Sequence, residues 1–133
     1  MKALTICQPY AELIARGEKV IENRTRWPWT YRRGPLLIHA GKSREWFDFD
    51  ELSEEETLRC DFGAIIAKAT LVDVLPFEQL SRDLQRHHHA NGPMCLVLEN
   101  VVRLERPILY RGQQGLFEIP DSVLAAPSDR SEP

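Results

Sequence analysis

The spacing of the apolar runs along the chain is the feature that most constrains its fold. The runs with β-compatible composition are KALTIC, KVIENR, LLIHA, GAIIAKATLVDVLP and MCLVLENVVRL. Most of the segments between them are too short or too rich in breakers to hold the long helical crossovers that parallel strands need. We therefore predict an α+β fold, a small, mostly antiparallel β-barrel with two to three peripheral helices. A chain of 133 residues is long enough to bury one such core.

The helices are predicted from their start and stop signals. A helix over residues 9–16 has apolar positions at helical spacing and a left-handed stop at Gly17. The segment FEQLSRDLQRHHH predicts an amphipathic helix over residues 77–89. A further short helix begins at a capping box formed by Ser53 and Glu56.

The predicted domain covers residues 1–120. Within this domain, residues 44–61 form an acidic excursion that is polar enough to be exposed. After the domain, residues 121–133 form a flexible C-terminal tail. The N-terminal segment lacks the apolar core of a signal peptide, and no apolar run approaches the roughly 18 residues that span a bilayer. The three cysteines show no CxxC spacing. We expect a cytoplasmic monomer with no membrane contact and no cofactor.

Charge is distributed unevenly along the sequence. Residues 1–44 carry nine Lys or Arg against three Asp or Glu, whereas residues 45–60 carry one against seven, although the formal net charge of the whole chain is −3. A basic N-terminal third is typical of a protein with an anionic partner, but solvated surface charge produces the same pattern.

Cations and aromatic rings alternate in the segment that follows the first helix. Single-stranded nucleic acid uses such a mixture, because cations take the phosphates and rings take the unstacked bases. The alternative is that the rings cover the mouth of the barrel, with the arginines stacked on them. The residues concerned are Lys19, Glu22, Arg24, Arg26, Arg32 and Arg33 together with Trp27, Trp29 and Tyr31.

Catalytic chemistry has one candidate group in this segment. Glu22 and Arg24 share one face of a predicted strand, because side chains alternate along a strand. Lys19 lies close to both in sequence, and a lysine next to another cation can act as a base with a carboxylate as its partner. An ion-pair network without catalytic function explains the same residues equally well. The motifs of serine hydrolases, P-loop proteins, dinucleotide-binding proteins and zinc peptidases are missing from the sequence.

The histidines do not predict a metal site. Consecutive residues on a helix point about 100° apart, so one ion is rarely bound by all of His87, His88 and His89. His39 lies in an apolar strand, where a hydrogen-bonded core histidine is the common case.

Several segments together resemble the activating-signal-cointegrator homology (ASCH) family of the PUA-like superfamily. They are QPYAELIARGEKVIENR, RRGPLLIHA, GAIIAKATLVDV, and GPMCLVLENVVRL followed by PILYRGQQGLFEI, and they cover roughly residues 3–119. The resemblance implies a small β-barrel with helices on its outside and a basic cleft beside residues 17–24. It also implies binding of RNA or another nucleic acid, or of a modified or extruded base. Carried over by position, the residues lining this cleft would be Gln8, Lys19, Glu22, Arg24, Arg32 and Gln114.

One branch of that family resembles an amidohydrolase for acetylated cytidine, with a glycine-x-lysine-x-x-threonine pattern. Here Gly17 and Lys19 match, but Glu22 replaces the threonine. Three hypotheses follow. The first is a domain that binds nucleic acid through the basic cleft. The second is a hydrolase, amidohydrolase-like or ribonuclease-like, that acts on a modified nucleoside or RNA with Lys19 as base and Glu22 as its partner. The third is a protein-interaction module that works through the acidic residues 45–60.

Overall fold

Six strands form a single sheet in the structure, a computed structural model that describes residues 1–28, 30–44 and 49–129. The strands are β1 (Lys2–Ile6), β2 (Ile21–Arg24), β3 (Gly34–Ala40), β4 (Ala64–Pro76), β5 (Met94–Leu109) and β6 (Leu116–Glu118). Their order in the sheet is β2-β5-β4-β3-β1-β6. The sheet curls into a half-barrel, so the predicted α+β, PUA-like architecture is confirmed.

Strand pairing is antiparallel throughout the sheet except between β1 and β3. These two strands are parallel because α1 and β2 lie between them in the chain and provide the crossover. The long pair β4 and β5 shifts register three times along its length. Such bulges increase the local twist, which accounts for the curl of the sheet.

Four short α-helices surround the sheet: α1 (Tyr10–Ala15), α2 (Glu54–Leu58), α3 (Arg82–Gln85) and α4 (Asp121–Asp129). Helix α1 ends where predicted, since Gly17 has φ +81° and its N–H donates to the carbonyl of Ile14 at 2.9 Å. The capping box is also confirmed, because the Ser53 hydroxyl accepts the N–H of Glu56 at 3.1 Å while the Glu56 carboxylate accepts the N–H of Ser53.

The single helix predicted over residues 77–89 is wrong. The segment forms a 3-10 helix at Phe77–Gln79, then two extended residues, Leu80 and Ser81, and then α3. The Ser81 hydroxyl accepts the N–H of Leu84 at 3.3 Å and so starts a new helix. The apolar residues of the 3-10 helix and of α3 pack on the same cluster, so their spacing in the sequence resembles that of one continuous amphipathic helix.

Two segments that the sequence places outside the core contain partly or fully buried side chains. Residues 121–129, part of the predicted tail, form α4, where Val123 and Leu124 pack on the cluster that contains Phe117. In the predicted acidic excursion, Leu52 and Thr57 are buried. The contacts of Val123 and Leu124 hold α4 against the sheet.

Apolar side chains cover both faces of the sheet. On one face, Leu36 and Ile38 belong to the cluster that also contains Ala11 and Ile14 of α1. On the other face, Leu37 packs in the cluster near α4. Alternation along β3 thus explains its nearly continuous apolar sequence. Within the described part of the chain, no helix is both long enough and apolar enough to cross a membrane.

Candidate ligand-binding cleft

A cleft of about 850 Å³ opens between the end of β1, the start of α1, strand β2 and the turn after α3. Its volume lies within the range of roughly 300–1,000 Å³ that is typical of small-molecule sites. The polar and aromatic side chains that line it are Thr5, Cys7, Tyr10, Lys19, Glu22, Asn23, Arg24, Thr25, Lys42, Ser43, Glu51, His88, His89 and Asn91.

Lys19, Glu22 and Arg24 form a charge network in this cleft. The ammonium of Lys19 lies 3.5 Å from Glu22 Oε1, and Arg24 Nη2 lies 3.0 Å from Glu22 Oε2. Lys19 and Glu22 are only 4% and 8% exposed. The predicted placement of Glu22 and Arg24 on one face of a strand is confirmed.

Local backbone structure positions the charge network. After Gly17, the N–H groups of Glu18 and Lys19 both donate to the carbonyl of Leu13, so the chain turns back across the end of α1. Lys19 Nζ then donates to the carbonyl of Ile21 at 2.5 Å. Arg24 donates to the carbonyl of Thr5 at 3.0 Å, which ties β2 to β1 across the cleft.

The cleft carries mixed charge. Its described lining includes the cations Lys19, Arg24 and Lys42 together with the carboxylates Glu22 and Glu51. Lys42 is exposed, whereas Lys19 is buried. A site of this kind offers hydrogen-bond donors and acceptors side by side, with some excess of positive charge, and suits a polar ligand with few phosphates.

Asn23 connects β2 to the turn that carries the histidines. Its side-chain amide donates to the carbonyl of His89 at 2.7 Å, and its oxygen accepts the N–H groups of Asn91 and Gly92 at 2.9 and 2.8 Å. Sequence reasoning assigned no role to Asn23, because its partners are more than sixty residues away in the chain.

His89 and Glu51 are cleft residues that the sequence did not indicate. His89 is buried, and burial lowers its pKa. Its ring packs edge-on to that of Tyr10, with centroids 6.5 Å apart, and Lys19 Nζ lies 5.8 Å from the centroid of Tyr10. The three consecutive histidines were the only feature of this segment that was considered as a site from the sequence. Because they were assumed to lie on a helix, the closeness of their rings was not predicted.

Next to the cleft, His39 pairs with Thr5 across β1 and β3. His39 Nε2 lies 2.6 Å from the carbonyl of Tyr110, so Nε2 carries the proton and Nδ1 accepts from the Thr5 hydroxyl at 3.1 Å. His39 is 1% exposed, and burial lowers its pKa, in agreement with the expected core histidine. A Cβ on Gly112 would lie 2.9 Å from both side chains, so glycine is required there.

Three of the predicted ligand residues lie outside the cleft lining. Gln8 is buried, and its amide donates to the carbonyl of Asp61 at 2.8 Å while its oxygen caps the N–H of Glu12. Arg32 donates to the carbonyl of Val74 at 2.7 Å near the end of β4. Gln114 is exposed in the loop before β6. The structure therefore does not bring these three residues together with the charge network.

The predicted aromatic residues are also placed elsewhere. Trp27 is 8% exposed and packs in the main core cluster, where its indole N–H donates to the carbonyl of Tyr31. The Tyr31 hydroxyl donates to the carbonyl of Pro35. Trp29 lies outside the described residues. Trp27 is buried, the favourable state of a large apolar ring, whereas Tyr31 is only half-buried, and a role of these rings in ligand binding stays a prediction.

A smaller, mostly apolar hollow of about 400 Å³ adjoins the cleft. The exposed edge of Trp27 lines it together with Leu116, and Arg24 and Arg26 lie at its border. Because Arg24 lines both the hollow and the cleft, the guanidinium stands between them.

Comparison with known proteins agrees with this architecture. The ASCH domain model matches residues 4–117. The crystal structure of ASCH from Zymomonas mobilis has a TM-score of 0.59 and 15% identity, over 96% of this chain and 93% of that chain. Two of its single-residue mutants have the same score and identity, covering 96% and 97% of this chain and 96% and 94% of theirs. No curated protein matches the sequence. Since the matched residues run from β1 to β6, the chain belongs to the ASCH domain family.

Proposed function

We propose that this protein binds RNA or another nucleic acid by accepting one unstacked or modified nucleobase in the charged cleft. The observation that carries the proposal is the buried network of Lys19, Glu22 and Arg24 inside a cleft large enough for a nucleoside. Membership of a PUA-like family gives independent support.

The chemistry of the charge network suits a base edge. Bases present donors and acceptors side by side, and a protein that reads them needs the complementary groups held in place. The ammonium form of Lys19 donates hydrogen bonds, whereas Glu22 can accept through two oxygens. Both are already held by Ile21 and Arg24, so little side-chain entropy is lost when a base binds.

Cations at the edge of the cleft suit the phosphates on either side of such a base. Lys42 is exposed beside the cleft, and Arg24 and Arg26 border the adjoining hollow. Contacts to phosphates position a strand and carry much of its affinity, whereas contacts to the base give selectivity. Binding of a single strand with one inserted base therefore uses both parts of the surface.

The test is fluorescence anisotropy with a labelled short single-stranded RNA at low salt. We expect Arg24→Ala and Lys42→Ala to weaken binding at least tenfold. Lys68→Ala removes an exposed cation of β4 that lines neither the cleft nor the hollow, and it is the matched control with unchanged affinity. Far-UV circular dichroism of each variant verifies folding. Absence of binding by the wild type, or an equal loss in Lys68→Ala, would overturn the proposal.

A hydrolase is the second candidate, because Lys19 and Glu22 both line the cleft that would hold the substrate. In this reaction Lys19 in its amine form takes a proton from water, hydroxide attacks an amide or phosphodiester, and the leaving group takes the proton. Glu22 orients the Lys19 side chain. This activity is tested by chromatography after incubation with acetylcytidine or short RNA. Turnover that Lys19→Ala abolishes supports it, whereas equal turnover in a Lys19→Ala preparation indicates a contaminating enzyme.

A further inference from the structure

Two histidines and a carboxylate converge on one side of the cleft. Glu51 Oε2 lies 3.2 Å from His88 Nε2 and 2.9 Å from His89 Nε2. The residues come from distant parts of the chain, since Glu51 precedes α2 and the histidines follow α3. The side chains of Glu51 and His89 are 19% and 5% exposed, whereas that of His88 is 69% exposed. The cluster therefore has a buried side and an open side.

The two distances from Glu51 Oε2 match those between neighbouring ligands of one metal ion. Nitrogen and oxygen ligands lie about 2.0–2.2 Å from Zn²⁺ and similar ions, so neighbouring ligand atoms in tetrahedral or octahedral geometry are separated by about 2.9–3.6 Å. The two separations from Glu51 Oε2 fall in this range. One ligand atom each of residues 87–89 also lies within 4.8 Å of the others.

The protonation of the rings distinguishes His89 from His87. His87 Nδ1 accepts the backbone N–H of His89 at 3.2 Å, so the proton of neutral His87 stays on Nε2 and blocks that atom as a ligand. His89 Nδ1 is buried with no hydrogen-bond partner among the described residues. Nδ1 can therefore take the ring proton and leave the lone pair of Nε2 for a metal.

Surrounding contacts hold the rings in place before any ion binds. Asn23 fixes the carbonyl of His89 from β2. The rings of His87 and His88 stack with their planes 3° apart, and those of His88 and His89 lie 3.8 Å apart between centroids. The expectation of no metal site assumed a single helix that carries all three histidines. In the structure, His88 and His89 follow α3, and the carboxylate comes from Glu51 in another segment.

We propose that Glu51, His88 and His89 bind one divalent first-row transition-metal ion, with Zn²⁺ as the reference ion. Two imidazoles and one carboxylate suit zinc, cobalt or nickel, and they do not suit Mg²⁺ or Ca²⁺, which prefer sites made of oxygen ligands. Three protein ligands leave one or more coordination positions open toward the cleft, where water or an oxygen of a bound ligand completes the shell.

The experiment uses the full chain without a polyhistidine tag, stripped of metal by a chelator and then dialysed. Titration with Zn²⁺ by calorimetry is expected to give one ion per chain, and titration with Co²⁺ is expected to give visible d–d absorption. We expect Glu51→Gln, His88→Gln and His89→Gln each to weaken Zn²⁺ binding at least tenfold. His87→Gln and Glu55→Gln are the matched controls, with affinities within threefold of wild type.

If His89→Gln folds poorly, its Zn²⁺ affinity cannot be interpreted, and a thermal unfolding measurement on the wild type and Glu51→Gln provides a second test. Zn²⁺ should raise the melting temperature of the wild type but not that of Glu51→Gln, whose substitution lies on the surface segment before α2. The proposal is overturned if the wild type binds no Zn²⁺ or Co²⁺. It is also overturned if the three ligand variants bind as well as wild type, or if Cys7→Ser rather than Glu51→Gln abolishes binding.

Discussion

At the scale of single residues, the balance of charge in the cleft depends on Glu22. Its carboxylate is the shared partner of Lys19 and Arg24, and Lys19 is almost completely buried. Water cannot solvate that ammonium group well, so the protein must supply its counter-charge. Glu22 therefore contributes to folding whether the cleft binds a base or catalyses a reaction.

Glu22→Gln tests this contribution. The substitution keeps the shape of the side chain but leaves two cations without their carboxylate, and removal of one partner of a buried pair costs about 3–5 kcal/mol. We expect a loss of about 2–3 kcal/mol in the free energy of unfolding, below that range because Arg24 is partly solvated. The measurement is urea denaturation followed by tryptophan fluorescence.

Glu18→Gln is the matched control for that measurement. Its carboxylate is 57% exposed and lies 3.7 Å from Arg16. Exposed ion pairs contribute little to stability, so this variant should unfold at nearly the urea concentration of the wild type. Equal losses in the two variants would show that the charge network does not act as a buried unit.

His39 gives a pH-dependent contribution to stability. Burial lowers its pKa in the folded chain below the value of about 6.5 expected in the unfolded chain. Between these two values the unfolded chain binds a proton that the folded chain does not. The free energy of unfolding therefore falls as pH drops from about 6.5 toward the folded pKa, and this contribution is fully present above about pH 6.5.

The variant His39→Gln should remove that contribution. Glutamine can still donate to the carbonyl of Tyr110 and accept from Thr5, but it does not titrate. We expect the variant to be less stable than wild type at pH 7.5, with a smaller further loss on going to pH 5.5. His89 also has a lowered pKa but is present in both proteins, so the difference between their pH profiles isolates His39. Parallel profiles would contradict the assignment.

At the scale of secondary-structure elements, the features that depend on neighbouring residues were predicted correctly from the sequence. The end of α1 at Gly17, the capping box before α2 and the common face of Glu22 and Arg24 depend on residues at most a few positions apart. The prediction of one helix over residues 77–89 was wrong because a serine such as Ser81 can cap a new helix as well as lie inside an existing one.

The cleft itself could be predicted only in part. Lys19, Glu22 and Arg24 are neighbours in one turn and strand, so their sequence pattern was sufficient to predict that these three side chains meet. Gln8, Trp27 and Arg32 are of residue types that often bind ligands. In the structure, however, their side chains donate hydrogen bonds to backbone carbonyls of the protein. Asn23, Glu51 and His89 meet through contacts between segments far apart in sequence, and no local pattern describes such contacts.

The turn after α1 provides a prediction at this scale, because it directs Lys19 into the cleft. Gly17 has φ +81°, and a Cβ there would meet no other atom within 4 Å, so the cost of substitution is conformational rather than steric. We expect Gly17→Ala to lower the free energy of unfolding by about 1 kcal/mol. Gly17→Asn should lose less, since asparagine tolerates the left-handed region. Urea denaturation measures both, and a larger loss for Asn than for Ala would contradict the explanation.

At the scale of the whole molecule, the net charge is negative although cations border the cleft. The chain has a net charge of −3, yet among the described residues Arg24, Arg26 and Lys42 lie at the edge of the cleft and of the adjoining hollow. If the proposed binding of nucleic acid holds, the strand is attracted at this place and repelled elsewhere on the protein. The number of these cations then sets the salt dependence of binding.

If each of these cations neutralises one phosphate, the slope of log affinity against log salt for single-stranded RNA should be about −2, at roughly −0.7 per phosphate. Affinity should then fall about twentyfold between about 50 and 200 mM salt. Lys42→Ala should reduce the slope by about 0.7, whereas Lys68→Ala should leave it unchanged. Anisotropy titrations at four salt concentrations measure this directly. A much steeper slope that Lys42→Ala leaves intact would place the strand on another surface, because only cations in contact with the RNA contribute to counterion release.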